Sequence, residues 1–292
     1  MFLCSHPECP RDDTVRRRAL TLGYLEPWSA RGRAGGGSYR WAMDQVGQVA
    51  GWLAEAGAVT VLTGAGISTE SGIPDFRGPQ GLWTRDPAAQ RMFDIDAYVA
   101  DPEVRRAAWR SRHGHPAWTA EPNAGHRALV ELERSGRLRG LVTQNIDGLH
   151  QKAGSRSVIE IHGTLHEVEC LSCGDRAPTP EVLRRLDEGE DDPACLRCGG
   201  ILKTATISFG QALRRDVLAA AEAAARDAEL FLAVGTSLSV HPAAGLAGAP
   251  LESGGRLVVV NAEPTPYDVV AHAVLREPIG EVLPALVAGA VR

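Results

Sequence analysis

Apolar residues in this chain fall into short, almost unbroken runs separated by stretches with helical spacing. Ala58–Thr63 (AVTVLT) is the first run, and Leu138–Thr143, Val158–Ile161, Thr204–Phe209, Glu229–Val234 and Leu257–Val260 follow. Most lack strict polar–apolar alternation, as strands covered on both faces do. Between them, Asn123–Ser135 and Asp216–Arg226 repeat apolar residues every three or four positions, the stripe of a helix that packs on a sheet. Strand and helix in alternation predict an α/β fold with a doubly wound parallel sheet of Rossmann type.

Two segments break this rhythm. Residues 77–122 combine Pro, Trp and charge without strand character, and predict a loop with helices lying over the sheet. Residues 167–202 carry four of the six cysteines and predict a small inserted module. Both follow strand ends, the side on which such a sheet forms its ligand crevice. Residues 1–42 mix Arg, Gly and Pro, include Ala34-Gly35-Gly36-Gly37-Ser38, and show no sustained period. That composition predicts a disordered extension. Met43 precedes the helical pattern Val46, Val49, Trp52, Leu53 and is an alternative start, which leaves 43–292 as the folded domain. Cys4, His6 and Cys9 offer three metal ligands and no evident fourth.

Composition narrows the function classes. With 44% hydrophobic residues in 292, the chain has material for a packed core. A net charge of −5 argues against a general nucleic-acid binder. No apolar run reaches the roughly 18 residues of a membrane helix, and the polar Arg11–Arg18 does not suit a secretory signal. The expectation is a cytoplasmic protein with no membrane partner.

Cysteine usage agrees with a reducing compartment. Cys170–Cys173 and Cys195–Cys198 are CxxC pairs with 21 residues between them, a little beyond the usual spacing of a zinc ribbon, with a polar helical stretch, Glu181–Glu190, taking up the excess. Four thiolates fill a tetrahedral shell and leave no position for water, so such a zinc is structural. Disulfides or a redox dithiol are the alternatives.

Three strand ends carry candidate chemistry. Gly64-Ala65-Gly66 follows the first run, where a sharp turn lets backbone approach a pyrophosphate. A full dinucleotide fingerprint needs a third glycine where Thr69 stands, so a plain strand–helix turn also explains these residues. Asn145 and Asp147 follow the second run. Their amide and carboxylate offer the donor and acceptor that a carboxamide needs, or else form a turn that opens a helix. His162 ends the third run, before Gly163. An imidazole titrating near 6.5 suits a general base; a structural histidine is the alternative, and His150 and His166 are rivals for the role.

In this order, GAGISTESGIPDFRGPQGLW (Gly64–Trp83), TQNIDGLH (Thr143–His150), His162-Gly163 and the two CxxC pairs resemble the sirtuins, NAD-dependent protein deacylases, of bacterial type. The resemblance runs from about Met43 to near Ala288. It implies NAD-dependent removal of acyl groups, acetyl first, from lysines of a protein or peptide partner, with release of nicotinamide and O-acyl-ADP-ribose. It implies His162 as the base, with Asn145 beside it, and one structural zinc on Cys170, Cys173, Cys195 and Cys198.

The same resemblance assigns the cofactor's contacts. Gly64, Ala65 and Gly66 meet the phosphates. Ser68, Ile73, Asn145 and Asp147 form the nicotinamide pocket, with Gln144 and Ile146 in the same segment. Asp75, Phe76, Arg77 and Trp83 belong to the cofactor loop, 77–122 being the insert that continues it. Gly235, Thr236 and Ser237, then Asn261, Ala262 and Glu263, hold the adenosine half, and Ala273 is a further cofactor contact. The acyl-lysine peptide is expected as an added strand between Ser208–Gln211 and Gly235–Val240. Gln211 stands where the family commonly has Glu. Some bacterial members read succinyl groups with a Tyr-x-x-Arg pair; here Arg112 is present in Trp109-Arg110-Ser111-Arg112 but the Tyr is not. Protein ADP-ribosylation or NAD hydrolysis in the same pocket, and a non-catalytic NAD-sensing zinc protein, are the alternatives.

Overall fold

The computed structural model describes residues 37–291. Residues 1–36 of the expected extension, with Cys4, His6 and Cys9, lie outside the described residues. The first helix, Gly37–Glu55, begins ahead of Met43. Nine strands form among the described residues: β1 (Val59–Thr63), β2 (Leu138–Thr143), β3 (Val158–Glu160), β4 (Gly163–Cys170), β5 (Arg176–Pro178), β6 (Leu202–Thr206), β7 (Leu230–Val234), β8 (Arg256–Val260) and β9 (Ala273–Leu275). Six make one sheet in the order β3-β2-β1-β7-β8-β9, and every neighbouring pair in it is parallel. The chain builds outward from β1 to β3, then crosses to the other side of β1 for the second half. That reversal puts the switch point, where such sheets open a crevice, between β1 and β7.

Burial explains why these strands read as continuous apolar runs. All five residues of β1 and of β7 are buried. On β7, Leu230, Leu232 and Val234 face a core shared with the helices Gly37–Glu55, Ala124–Arg134 and Ile279–Ala290. Phe231 and Ala233 face a second core, closed by the helix Arg215–Arg226 and the segment after β7. With both faces covered, the period-two signal disappears. Asn123 opens the helix Ala124–Arg134 as its N-cap, accepting from Gly125 and His126 N–H, so that boundary agrees with expectation.

The run Thr204–Phe209 departs from it. Its strand is β6, Leu202–Thr206, which lies in a separate three-stranded antiparallel sheet, β5-β4-β6. Since β6 is also wholly buried, composition alone gives it the look of a strand of the main sheet. The helix expected at Glu181–Glu190 is Thr179–Asp187 and is amphipathic, with Val182 buried. β4, β5 and β9 carry too little pattern, or too few residues, to be read in advance.

The two inserts lean on one another. Trp109, 1% exposed, projects from the helix Pro102–His113 into the small core of the cysteine module, beside Val168, Cys170, Val182, Cys195 and Leu202. Around it, Arg105 Nε donates to both oxygens of Asp192 at 3.1 and 2.8 Å, and Arg106 pairs with Asp191 at 2.8 Å. The exposed pair adds little; burial of the indole is the larger contribution. Among the described residues no helix is long and apolar enough to cross a membrane.

Candidate active site

A cleft of about 550 Å³ opens at the switch point, within the range of small-molecule sites. Its floor is the contact between the turns that follow β1 and β7. A Cβ at Gly64 would lie 2.7 Å from the carbonyl oxygen of Gly235, and one at Gly66 would lie 2.7 Å from the Cα of Gly235. Gly66 N–H donates to that same carbonyl at 2.8 Å. The glycines of the GAG turn are therefore required by turn-on-turn packing, before any ligand is considered. The chain behind them, Ala65–Ser71, is a 3-10 helix.

At the end of β2 the QNID segment crosses this floor. Gln144 Nε2 donates to Thr236 Oγ1 at 2.8 Å. Asn145 Nδ2 donates to the Gly64 carbonyl and to Ser68 Oγ, both at 3.1 Å. Ser68 in turn donates to Asp147 Oδ2 at 2.7 Å, and Leu149 N–H donates to Asp147 Oδ1 at 2.9 Å. Burial raises the Asp147 pKa, and these two hydrogen bonds oppose the rise. Ser68, Asn145 and Asp147 are thus one bonded unit, lining the cleft with Ile73 and Ile146. Within this unit both Asp147 oxygens accept a hydrogen bond, while Asn145 bonds through Nδ2 and leaves its Oδ1 unused.

His162 follows β3 and lines the same cleft. Its Nδ1 lies 3.1 Å from the Gln144 carbonyl, which only an N–H can satisfy, so Nδ1 carries the proton. Nε2 is then a bare lone pair, and it is buried without a partner. Desolvation lowers its pKa to about 4 while the Gln144 bond raises it. The ring is neutral near pH 7 and free to accept a proton. Gly163, at φ +74°, begins β4; a Cβ there would lie 2.0 Å from the Ala205 carbonyl. The rivals are placed elsewhere. His166 Nε2 meets the Asp147 carbonyl at 3.0 Å and His150 is 1% exposed; neither lines the cleft.

The loop after the GAG turn forms one wall. Asp75 Oδ1 accepts from Gly78 N–H at 2.9 Å. Phe76 and Trp83 lie 4.8 Å apart, both near Phe93, and the Arg77 guanidinium sits 4.5 Å over the Trp83 ring. Across the floor, Thr236, Ser237, Asn261 and Glu263 also line the cleft. Asn261 Nδ2 is bonded to the Glu263 carbonyl at 2.7 Å, so it shapes its own turn. Ala262 and Ala273 do not line the cleft; Ala273 is a core residue of β9. The sequence reading passed over Phe93 and His115, which also line it. Neither belongs to a motif, and both reach the site only because the insert folds back over the sheet.

The four cysteines converge. Their sulfurs all lie within 4.8 Å of one another, with Cys170–Cys198 at 3.5 Å and Cys173–Cys195 at 3.8 Å. A tetrahedral zinc with bonds of about 2.3 Å separates its sulfurs by about 3.8 Å, so the donor set fits zinc. Cys170 and Cys195 are buried and Cys173 and Cys198 exposed.

Comparison with known proteins follows the same lines. The model of the Sir2 family matches residues 64–242. NAD-dependent protein deacetylase 2 of Streptomyces coelicolor is 56% identical over 233 residues, covering 79% of this chain and 97% of the relative. NAD-dependent protein deacetylase 1 of Pyrobaculum aerophilum is 42% identical over 246 residues, covering 83% and 94%. Among solved structures, a Sir2 complex with a deacetylated p53 peptide and 3'-O-acetyl ADP-ribose superposes with a TM-score of 0.79 at 36% identity, covering 85% of this chain and 99% of that one. A Sir2 enzyme bound to a propionylated peptide gives 0.73 at 36% identity, covering 81% and 94%.

Two outcomes follow from the site's chemistry. Purified protein is expected to carry one zinc per chain by elemental analysis, and a strong chelator should unfold the cysteine module first, seen as protease cleavage within 167–202; a metal-free chain equally resistant to protease would refute the structural role. The second concerns pH. His115 and His162 are lowered to about 4 by burial, as are His126, to about 4, and His150, to about 3. Between those values and the usual 6.5 the unfolded chain binds more protons, so stability falls as pH drops through that window. Urea midpoints should be lower at pH 5 than at pH 7, and His115→Gln should shrink the difference; an unchanged difference would show that this ring takes no part.

Proposed function

The chain belongs to the Sir2 family, and we propose that it removes acyl groups, acetyl foremost, from protein lysines at the expense of NAD. The observation that carries this reading is the unpartnered Nε2 of His162, which faces the same cleft as the bonded Ser68–Asn145–Asp147 unit. When bound, NAD supplies a ribose carbon whose bond to nicotinamide breaks as the acyl oxygen adds, water later completing release of free lysine and O-acyl-ADP-ribose.

The residues of this chain supply the rest. Asn145 Oδ1 and Asp147 orient the carboxamide, held in place through Ser68. His162 accepts a ribose hydroxyl proton at Nε2, with Nδ1–H anchored on the Gln144 carbonyl so that the tautomer is fixed. The aromatic wall of Phe76, Trp83 and Phe93 keeps water from that side of the cleft. Gly64, Ala65 and Gly66 take the phosphates, and the turns at Gly235 and Asn261 take the adenosine half. The four cysteines hold the structural zinc as thiolates, and a reducing cytoplasm keeps them from forming disulfides.

The acyl-lysine segment lies between Ser208–Gln211 and Gly235–Val240. Phe209 already uses both main-chain groups, on Phe93 and Ile95, so the added strand pairs with other residues of these segments. Gln211 Oε1 accepts from Ser208 N–H at 2.9 Å. A turn cap needs only that acceptor, which the Glu common in the family supplies equally.

One observation favours a second range of substrates. Arg112 lines the main cleft with Thr206 and Ser208; the gap behind it, against Tyr98, Trp109 and Lys203, is about 10 Å³, room for a single water. Arg112 has no carboxylate partner among the described residues and packs over Phe93, and Trp109 Nε1–H is unpartnered. A guanidinium on the cleft wall without a carboxylate partner suits an acyl chain that ends in a carboxylate.

A single experiment separates these readings. Lysine peptides bearing acetyl, propionyl, succinyl and glutaryl groups are incubated with NAD and followed by mass spectrometry. Acyl loss with appearance of O-acyl-ADP-ribose is expected, and label from NAD on protein without acyl loss would sink the deacylase reading. His162→Ala should lower kcat by about 100- to 10,000-fold. Arg112→Met should depress turnover of the acidic acyl groups and spare acetyl; equal effects on both would remove the second range.

A further inference from the structure

His150 does not line the cleft, yet a buried file of hydrogen bonds joins it to the turn that does. Thr63, the last residue of β1, donates from Oγ1 to Oγ1 of Thr143, the last residue of β2, at 2.8 Å. The ring nitrogen Nε2 of His150 lies 2.9 Å from the same Thr63 oxygen. Asn145 N–H donates to Thr143 Oγ1 at 3.1 Å. Thr63, Thr143 and His150 are each at most 2% exposed.

The direction of this file is determined. A hydroxyl has one proton, and Thr63 uses it on Thr143, so the contact with His150 must have Nε2–H donating. Thr143 Oγ1 then receives from Thr63 on one side and from the Asn145 backbone on the other. The remaining nitrogen of His150, Nδ1, is bare and without a partner. The ring is kept in place from its other side by His126, whose centroid is 4.9 Å away. His126 Nδ1 accepts from Asn123 N–H at 3.4 Å, within the helix cap that also ties Asn123 Nδ2 to the Ile67 carbonyl at 2.7 Å.

We propose that His150 is a positioning residue for the cofactor pocket: through Thr63 and Thr143 it fixes the backbone of Asn145 and so aims the Asn145 amide. Without the imidazole donor, Thr63 Oγ1 keeps Thr143 in reach but loses the N–H that fixes its own rotamer, and its hydroxyl is free to turn to a backbone carbonyl instead, as threonine hydroxyls do. Thr143 is then released, and the Asn145 N–H with it. The displacement is passed on through Asn145 Nδ2 to Ser68 and so to Asp147, which share one bonded unit. The effect falls on the nicotinamide end of the cleft. The side chains of Thr63, Thr143 and His150 make no hydrogen bond to the zinc module or to the peptide-binding segments; the one link to those segments is Gln144, whose Nε2 donates to Thr236 Oγ1.

The inference rests on the reading that Asn145 and Asp147 hold the carboxamide, and the test separates the two. Nicotinamide and NAD are titrated directly into folded wild-type protein and into His150→Gln, His150→Phe, Thr143→Ser and Thr143→Val, with peptide and NAD KM measured alongside. Gln offers an N–H close to where Nε2 stands, and Ser keeps the hydroxyl. Expected are near-wild-type binding for His150→Gln and Thr143→Ser, and about tenfold weaker nicotinamide and NAD binding for His150→Phe and Thr143→Val, the scale of one lost buried hydrogen bond. The NAD KM should rise in step while the peptide KM holds, and the double variant should be no worse than either single one. Wild-type binding in His150→Phe, equal loss in His150→Gln, or additive losses in the double variant would each overturn the inference. If His150→Phe does not fold, the Thr143 pair decides, with the same expected split. A wild-type protein that binds neither ligand contradicts the underlying reading, whatever the variants do.

Discussion

The rest of the molecule depends on the contact between two strand-end turns with no room for a side chain. Gly64 and Gly66 lie against Gly235 so closely that a Cβ on either would sit inside the neighbouring backbone. Gly64 N–H bonds to the Val234 carbonyl, and Gly235 N–H to that of Val260. The ends of β1, β7 and β8 are thereby tied side by side at the place where the sheet reverses direction. The polar groups of QNID are positioned from that line, because the segment is anchored on the Gly64 carbonyl and on Thr236.

Burial then sets protonation. His162 is held neutral, with its tautomer selected by one backbone carbonyl, so the imidazole is a ready acceptor in a cleft with a largely apolar wall. Asp147, also buried, has its carboxylate supported by a serine hydroxyl and a backbone N–H. The two groups differ in their partners more than in their burial, and under the function proposed above they have different tasks: one takes a proton, the other fixes geometry.

The inserts serve the site indirectly. The helix Pro102–His113 has its Trp109 in the core beside Cys170 and Cys195, while its C-terminal turn brings Arg112 to the cleft. The segment after it adds His115. A small sheet held by four converging thiols thus gives firm footing to a helix that would otherwise lie on the surface. The same core explains why a module with few apolar residues of its own packs at all: the largest side chain in it comes from the other insert.

The sequence by itself determined five of the six strands of the main sheet, three of the helices that cover it, the CxxC pairs and the residues at the strand ends. Those features are local: a buried parallel strand, a helix cap and a ligand pair all leave their mark within a few neighbouring residues. Tertiary structure alone decided what nonlocal contact sets. It put β6 in the second sheet rather than the first, because a fully buried strand carries no label naming its partners. It made Ala273 a core residue, brought Phe93 and His115 to the cleft, and joined His150 to Asn145 through two threonines 80 residues apart in the chain. Such partnerships depend on which strands end side by side, and the linear order of residues does not state that.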